Sequence, residues 1–148
     1  MRDSTRHLYF AGLCLLSCLS LVLATNGCGS SPTTPTTSSG PYTQTDLVVG
    51  TGAEAIVASR ATVSYTGWLY DTSKTDGKGA QFDTSPGFTF VVGAGTVIAG
   101  WDQGVKGMRV GGQRRLIIPP SLAYGSSGRG SIPPNATILF DIVLLSVQ

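Results

Sequence analysis

The stretch Val97–Met108, VIAGWDQGVKGM, constrains the fold more than any other part of the chain. Its spacing predicts a short helix from about Ala99 to Lys106, with Trp101 and Val105 on one face as an i, i+4 pair. Gly100, Gly104 and Gly107 are poor helix formers. Three glycines in so short a helix imply that neighbouring structure presses against its backbone. The flanking segments read as strands, so the expected arrangement is a sheet curling over this helix with Trp101 between them. Trp101 is then either the largest core residue or the floor of a pocket.

The strands around it are legible from period-2 alternation. Leu47, Val48 and Val49 predict a first strand closed by Gly50-Thr51-Gly52. Ala61–Tyr70 is the clearest strand, with Val63 and Tyr65 on one side and Thr62, Ser64 and Thr66 on the other. Asp71–Ala80 reads as a polar loop. Gln81–Thr84 is a short segment carrying Phe82 and Asp83. Phe88–Val92 alternates, with Phe88, Phe90 and Val92 together. After the helix, Gly111-Gly112 marks a turn, and Pro119-Pro120 must end the strand Arg114–Ile118. Ser121–Ala136 is a long loop. Thr137–Val147 is the last strand, with Ile138, Phe140, Ile142 and Leu144 on one face. These strands and the one short helix give a sheet curling over a single helix.

The N-terminal end is of another kind. Arg2 and Arg6 precede Leu8–Ala24, an uncharged and mostly apolar run of seventeen residues. That is shorter than the ~20 residues a spanning helix needs. Charge, then an apolar run, then small residues reads as a secretory signal over residues 1–27. Gly27-Cys28 at its end resembles a bacterial lipobox, in which the Cys takes a diacylglyceryl group and becomes the acylated N-terminus. Thr25 and Asn26 depart from that pattern, and Leu15-Leu16-Ser17-Cys18 is an earlier competing match. Cys28 is the expected lipidation residue because a polar tail follows it directly. The alternative is ordinary cleavage and a soluble secreted protein. Gly29–Gly40, GSSPTTPTTSSG, has no charge and no large apolar residue, so residues 28–40 form a lipid-attachment Cys and a flexible tether. Extended, the tether reaches ~40 Å at ~3.3 Å per residue. The folded domain is expected over residues 41–148.

Composition matters chiefly through an absence. The single His is His7, and the three Cys are Cys14, Cys18 and Cys28. The region after Cys28 therefore lacks His/Cys zinc sites, a Cys nucleophile, a Ser-His-Asp triad and any internal disulfide. From Pro41 onward eight Lys/Arg face seven Asp/Glu, a net of +1, and no basic stripe emerges, so nucleic-acid binding is not expected. One face of the expected sheet and helix collects Tyr65, Phe82, Phe88, Phe90, Trp101 and Phe140, with the acid Asp83 beside Phe82. Six aromatics and a lone acid fit either an aromatic core or an apolar pocket.

These residues, in this order, resemble the FKBP-type peptidyl-prolyl isomerases. The resemblance is carried by VSYTGWL (Val63–Leu69), QFDTS (Gln81–Ser85), FTFVVGAGTVIAGWDQGVKGMRVGGQRRLIIPPSLAYG (Phe88–Gly125) and IPPNATILFDIVLL (Ile132–Leu145), from about Leu47 to Leu145. It implies an α+β fold, a strongly curved antiparallel β-sheet (half-barrel) wrapped around one short α-helix, in agreement with the sheet and helix read above, and catalysis of X–Pro rotation in a protein-folding role. The implied catalytic set is Asp83, Tyr124, Tyr65 and Phe140. The implied substrate-binding set is Phe82, Phe88, Val97, Ile98, Trp101 and Ile132. Trp101 would be the floor under the proline ring and Tyr65, Phe88 and Phe140 its walls. The Tyr124 hydroxyl and the Ile98 N–H would bond substrate carbonyls, and Asp83 would orient Tyr65. No cofactor and no metal is implied. The implied partners are proline-containing unfolded or partly folded proteins and macrolide inhibitors, met by a monomer held to a membrane by its lipid. A proline-binding chaperone or scaffold with little turnover is the competing function. Two rim loops depart from the family pattern: Gly125–Ser131 is about one residue short, with Arg129 nearest to where a His stands in small members, and the segment between Asp83 and Phe88 is short.

Overall fold

A computed structural model describes residues 40–148. The expected signal segment, Cys28 and the tether up to residue 39 lie outside the described residues. Five strands run in chain order as β1 (Thr43–Val48), β2 (Arg60–Tyr70), β3 (Lys78–Val91), β4 (Gln113–Ile118) and β5 (Ile138–Val147). One helix, α1 (Ala99–Val105), lies between β3 and β4, and a 3-10 turn covers Pro120–Leu122. The strands form a single sheet in the order β1-β4-β5-β2-β3, with every pair antiparallel. Among the described residues no helix is long and apolar enough to cross a membrane.

The central strand sets the core. Ile138, Phe140, Ile142 and Leu144 alternate along β5 and are all buried. Leu116 and Ile118 of β4 and Ala61 and Val63 of β2 extend that face, and Trp101 and Val105 of α1 pack onto it. A seven-residue helix does not hold itself together in water. This one is held by its buried face, Gly100, Trp101, Gly104 and Val105, with the two glycines set against Ile118 and Leu116 side chains of the sheet. A Cβ at Gly100 would stand 2.5 Å from Ile118 Cγ2, and one at Gly104 would collide with Leu116 Cδ1. Gly107 serves differently: nothing crowds it, but its φ of +80° turns the chain out of the helix. Tyr42, just before β1, ties the other end, its hydroxyl donating to the Gly100 carbonyl at 2.8 Å.

The outer face of the sheet carries a second apolar contact. Leu139 is fully buried although it points away from the helix. It pairs with Trp68 across β2, and the loop from Asp71 to Gly77 folds over it, with Gly77 against the Tyr70 ring. Lys78 lies 4.2 Å above the Trp68 ring and reaches Asp141 at 2.8 Å. Arg115 holds the same carboxylate at 2.7 Å.

The largest differences from the sequence reading lie at the two sheet edges, while β2, β4, β5 and α1 each differ from it by one residue at one end. β3 is continuous from Lys78 to Val91, where a loop and two separate segments were expected. Register shifts along β2 and β3 absorb the irregular residues, and Pro86 is tolerated because β3 is an edge strand. β1 runs over Thr43–Val48 rather than Leu47–Val49, and none of its residues is buried. Its apolar end does not face the core: Leu47 is 44% and Val48 51% exposed. The helix ends at Val105, one residue before its expected end.

Candidate active site

A cavity of about 500 Å³ opens where the start of α1 meets the inner faces of β2, β3 and β5. Trp101 enters it from the helix, Tyr65 from β2, Asp83 and Phe88 from β3, and Phe140 from β5. Val97 and Ile98 come from the loop before α1, and Tyr124 from the loop after the 3-10 turn. These eight are residues the sequence singled out. Phe82 and Ile132 stand outside the lining. Phe82 backs Phe140, ring centroids 5.5 Å apart, and Ile132 is buried in the core.

The aromatic rings meet edge to face. Tyr65 lies 4.8 Å from Trp101 between ring centroids, at 85°, and Phe140 lies 5.2 Å from Trp101, also at 85°. Tyr65 and Phe140 are 5.8 Å apart, and Phe88 closes the ring of contacts at 6.0 Å from Trp101. Such pairs contribute ~0.5–1.5 kcal/mol each beyond area burial. Gly67 in β2 makes room for them: a Cβ there would stand 2.6 Å from Phe140 Cε1 and 2.8 Å from Phe82 Cζ. A glycine inside the clearest strand is the sequence signal of that close approach. Trp101 is 4% exposed, and its Nε1–H finds no acceptor among the described residues.

Polar groups are few and fixed. The Tyr65 hydroxyl donates to Asp83 Oδ2 at 2.7 Å, and the Thr84 N–H donates to Oδ1 at 2.8 Å. Burial, then the bond to Asp83 and that carboxylate's charge, push the Tyr65 phenol up to about 12. Tyr65 is therefore a donor at any working pH. The Thr84 hydroxyl bonds the Tyr65 carbonyl at 3.0 Å, pinning β3 to β2 beside the pair. Asp102, in the first turn of α1, accepts the N–H groups of Gly93 and Gly95, both at 2.9 Å. That clasp holds the loop bearing Val97 and Ile98 against the helix. The Ile98 carbonyl accepts from Trp101 and Asp102, while its N–H donates to no backbone group among the described residues.

Thr96 and Arg129 also line the cavity and were not in the sequence-derived set. Thr96 adjoins Val97 in the chain. Arg129 sits between Gly128 and Gly130, both at positive φ, in a turn that returns it to the rim. Among the described residues no cluster of His, Cys, Asp and Glu could hold a metal ion. What the arrangement offers is an aromatic box for a flat apolar ring, and donors at its mouth for carbonyl groups.

Comparison with known proteins agrees with this geometry. The family profile described as "FKBP-type peptidyl-prolyl cis-trans isomerase" matches residues 52–145. The chain is 45% identical over 103 residues to an FK506-binding protein of Neisseria meningitidis serogroup B, spanning 69% of this chain and 92% of that one. Among solved structures, a peptidyl-prolyl cis-trans isomerase from Pseudomonas syringae pv. tomato aligns with a TM-score of 0.60 and 35% identity, over 72% of this chain and 75% of that one. FkpA from Escherichia coli aligns at a TM-score of 0.61 and 36% identity, but the match spans only 48% of that protein. The chain belongs to the family of FKBP-type peptidyl-prolyl cis-trans isomerases.

Proposed function

We propose that the chain isomerises X–Pro bonds of unfolded or partly folded proteins in this cavity, by non-covalent binding alone. The observation that carries the reading is the edge-to-face box of Tyr65, Phe88, Trp101 and Phe140, combined with the absence of any His or Cys after residue 28. Rotation about a prolyl bond breaks no covalent bond, and its barrier of ~18–20 kcal/mol is amide resonance. The proline ring rests on Trp101. The Tyr124 hydroxyl and the Ile98 N–H hold the flanking carbonyls. Asp83, by accepting from the Tyr65 hydroxyl, fixes that wall. The planar amide carries separated charge that the apolar box solvates poorly, whereas the twisted amide is less polar, so the box favours the twisted state. The test is acceleration of prolyl-peptide isomerisation by the whole chain in detergent. Phe140→Leu should lower kcat/KM roughly tenfold, because the leucine cannot restore the ring contacts to Tyr65 and Trp101. Full activity in Phe140→Leu, with the fold intact, places the chemistry elsewhere. Capture of prolyl peptides without acceleration is the result expected of a chaperone or scaffold instead.

We infer further that the enzyme works outside the cytoplasm as a lipid-anchored monomer. Supporting this are the basic start, the apolar run Leu8–Ala24, Gly27-Cys28 and the uncharged tether. Mass spectrometry of the mature protein should show a chain beginning at Cys28 with added acyl mass. An unmodified chain beginning elsewhere contradicts the anchor and leaves a soluble secreted protein.

A further inference from the structure

Two charged side chains line the cavity, and they stand in different circumstances. Both oxygens of Asp83 are engaged, by the Tyr65 hydroxyl and the Thr84 N–H. Arg129 has no carboxylate partner among the described residues. Arg109, Arg114 and Arg115, by contrast, are paired with Glu54, Asp46 and Asp141, and Arg60, which also has no carboxylate partner among the described residues, lies off the cavity. The one described contact of the Arg129 side chain is with the Tyr124 ring, its Cζ 5.6 Å from the centroid. That contact leaves the planar fork of N–H donors without an acceptor among the described residues.

The backbone holds this cation at the rim. The Arg129 N–H donates to the Ile132 carbonyl at 2.9 Å, and the Ile132 N–H donates back to the Arg129 carbonyl at 2.9 Å. Ile132 is 7% exposed and belongs to the core, so the turn is anchored at its far end. Gly128 and Gly130 take φ of +65° and +56°, and a side chain at Gly128 would run into the Ile132 carbonyl. Arg129 is thus presented on a closed turn beside Tyr124, where the chain flanking a bound proline must pass.

We propose that Arg129 sets specificity, selecting prolyl segments that carry Asp or Glu beside the proline. This rests on the isomerase reading above. A guanidinium with an open fork takes a carboxylate in two parallel bonds, a geometry that Lys does not offer. The pair is solvent-exposed, so the expected preference is modest, roughly two- to five-fold, and weakened by salt.

The experiment measures kcat/KM of the whole chain, in detergent, on two series of tetrapeptides with Glu, Leu or Lys placed before or after the proline. The Glu peptide should exceed the Lys peptide by roughly two- to five-fold in at least one series at low salt, and less so at about 0.5 M NaCl. Arg129→Ala should bring that ratio close to one, and Arg129→Glu should invert it. Because the ratio compares peptides on the same protein, a loss of folded protein in either variant cancels. Equal rates for Glu and Lys peptides in both series, a preference for Lys, or a Glu preference that survives in Arg129→Glu overturns the proposal while leaving the isomerase reading intact. No acceleration of the Leu peptides overturns both.

Discussion

Trp101 carries the largest ring of the site and also an unpaired donor. Its buried Nε1–H has no acceptor among the described residues, and such a group costs ~1–3 kcal/mol. Trp101→Phe removes that donor together with part of the floor, so the two effects oppose each other. The expected loss of stability is below about 2 kcal/mol, against ~3–5 kcal/mol for truncation to Ala. Urea unfolding with an unchanged m-value checks this. A Phe variant as unstable as the Ala variant contradicts it. At this scale the sequence was informative where a residue type is rare. Trp101, Tyr65, Asp83 and Tyr124 were marked by family motif and all line the cavity. Phe82 and Ile132 belong to the same motifs yet stand behind the lining, because motif membership does not separate a wall from its support. Arg129 was placed on a rim loop but left out of the site set, because its position on the lining depends on positive φ at Gly128 and Gly130, which glycine permits without requiring.

The helix shows the same glycine ambiguity resolved by contact. Gly100, Gly104 and Gly107 were read together as a sign of close packing; the first two, inside the helix, are closely packed, and Gly107, just past its end, is not. Gly104→Ala gains up to about 1 kcal/mol of helix propensity. It also drives a methyl into Leu116 and to 2.7 Å from the Tyr42 hydroxyl, which anchors the helix through Gly100. Overpacking of that kind costs ~1–3 kcal/mol, so a net loss of stability is expected. Thermal or urea unfolding that shows Gly104→Ala more stable than the parent contradicts the packing argument. The strands were legible wherever one face is buried, as in β2, β4 and β5. They were misread at β1 and β3, the two edges, where exposure removes alternation and bulges break the period. Leu139 was missed because its cover is the Asp71–Gly77 loop, a contact that strand periodicity does not encode.

Across the whole molecule, one carboxylate joins the two sides of the sheet's outer face. Burial acts to raise the Asp141 carboxyl, but bonds from Arg115 and Lys78 outweigh it, and the net result lies below the usual carboxylate range. A carboxyl depressed in the folded state stabilises fully above its unfolded value near 4. That stability is lost as pH falls through the lower folded value. Asp141→Asn should therefore be less stable at neutral pH and show a shallower loss of stability below about pH 4, read from urea midpoints. An unchanged slope removes Asp141 from the acid response. The central claim is that rotation is accelerated with no proton transfer. His is absent after His7, burial and the bond to Asp83 push the Tyr65 phenol up to about 12, and carboxylates and Lys ordinarily titrate near pH 4 and pH 10. The most direct test is kcat/KM for a short prolyl peptide across about pH 5.5 to 8.5. The account predicts isomerisation well above the spontaneous rate and flat throughout that window. A bell-shaped profile with limbs inside it, or no acceleration at any pH, contradicts the account.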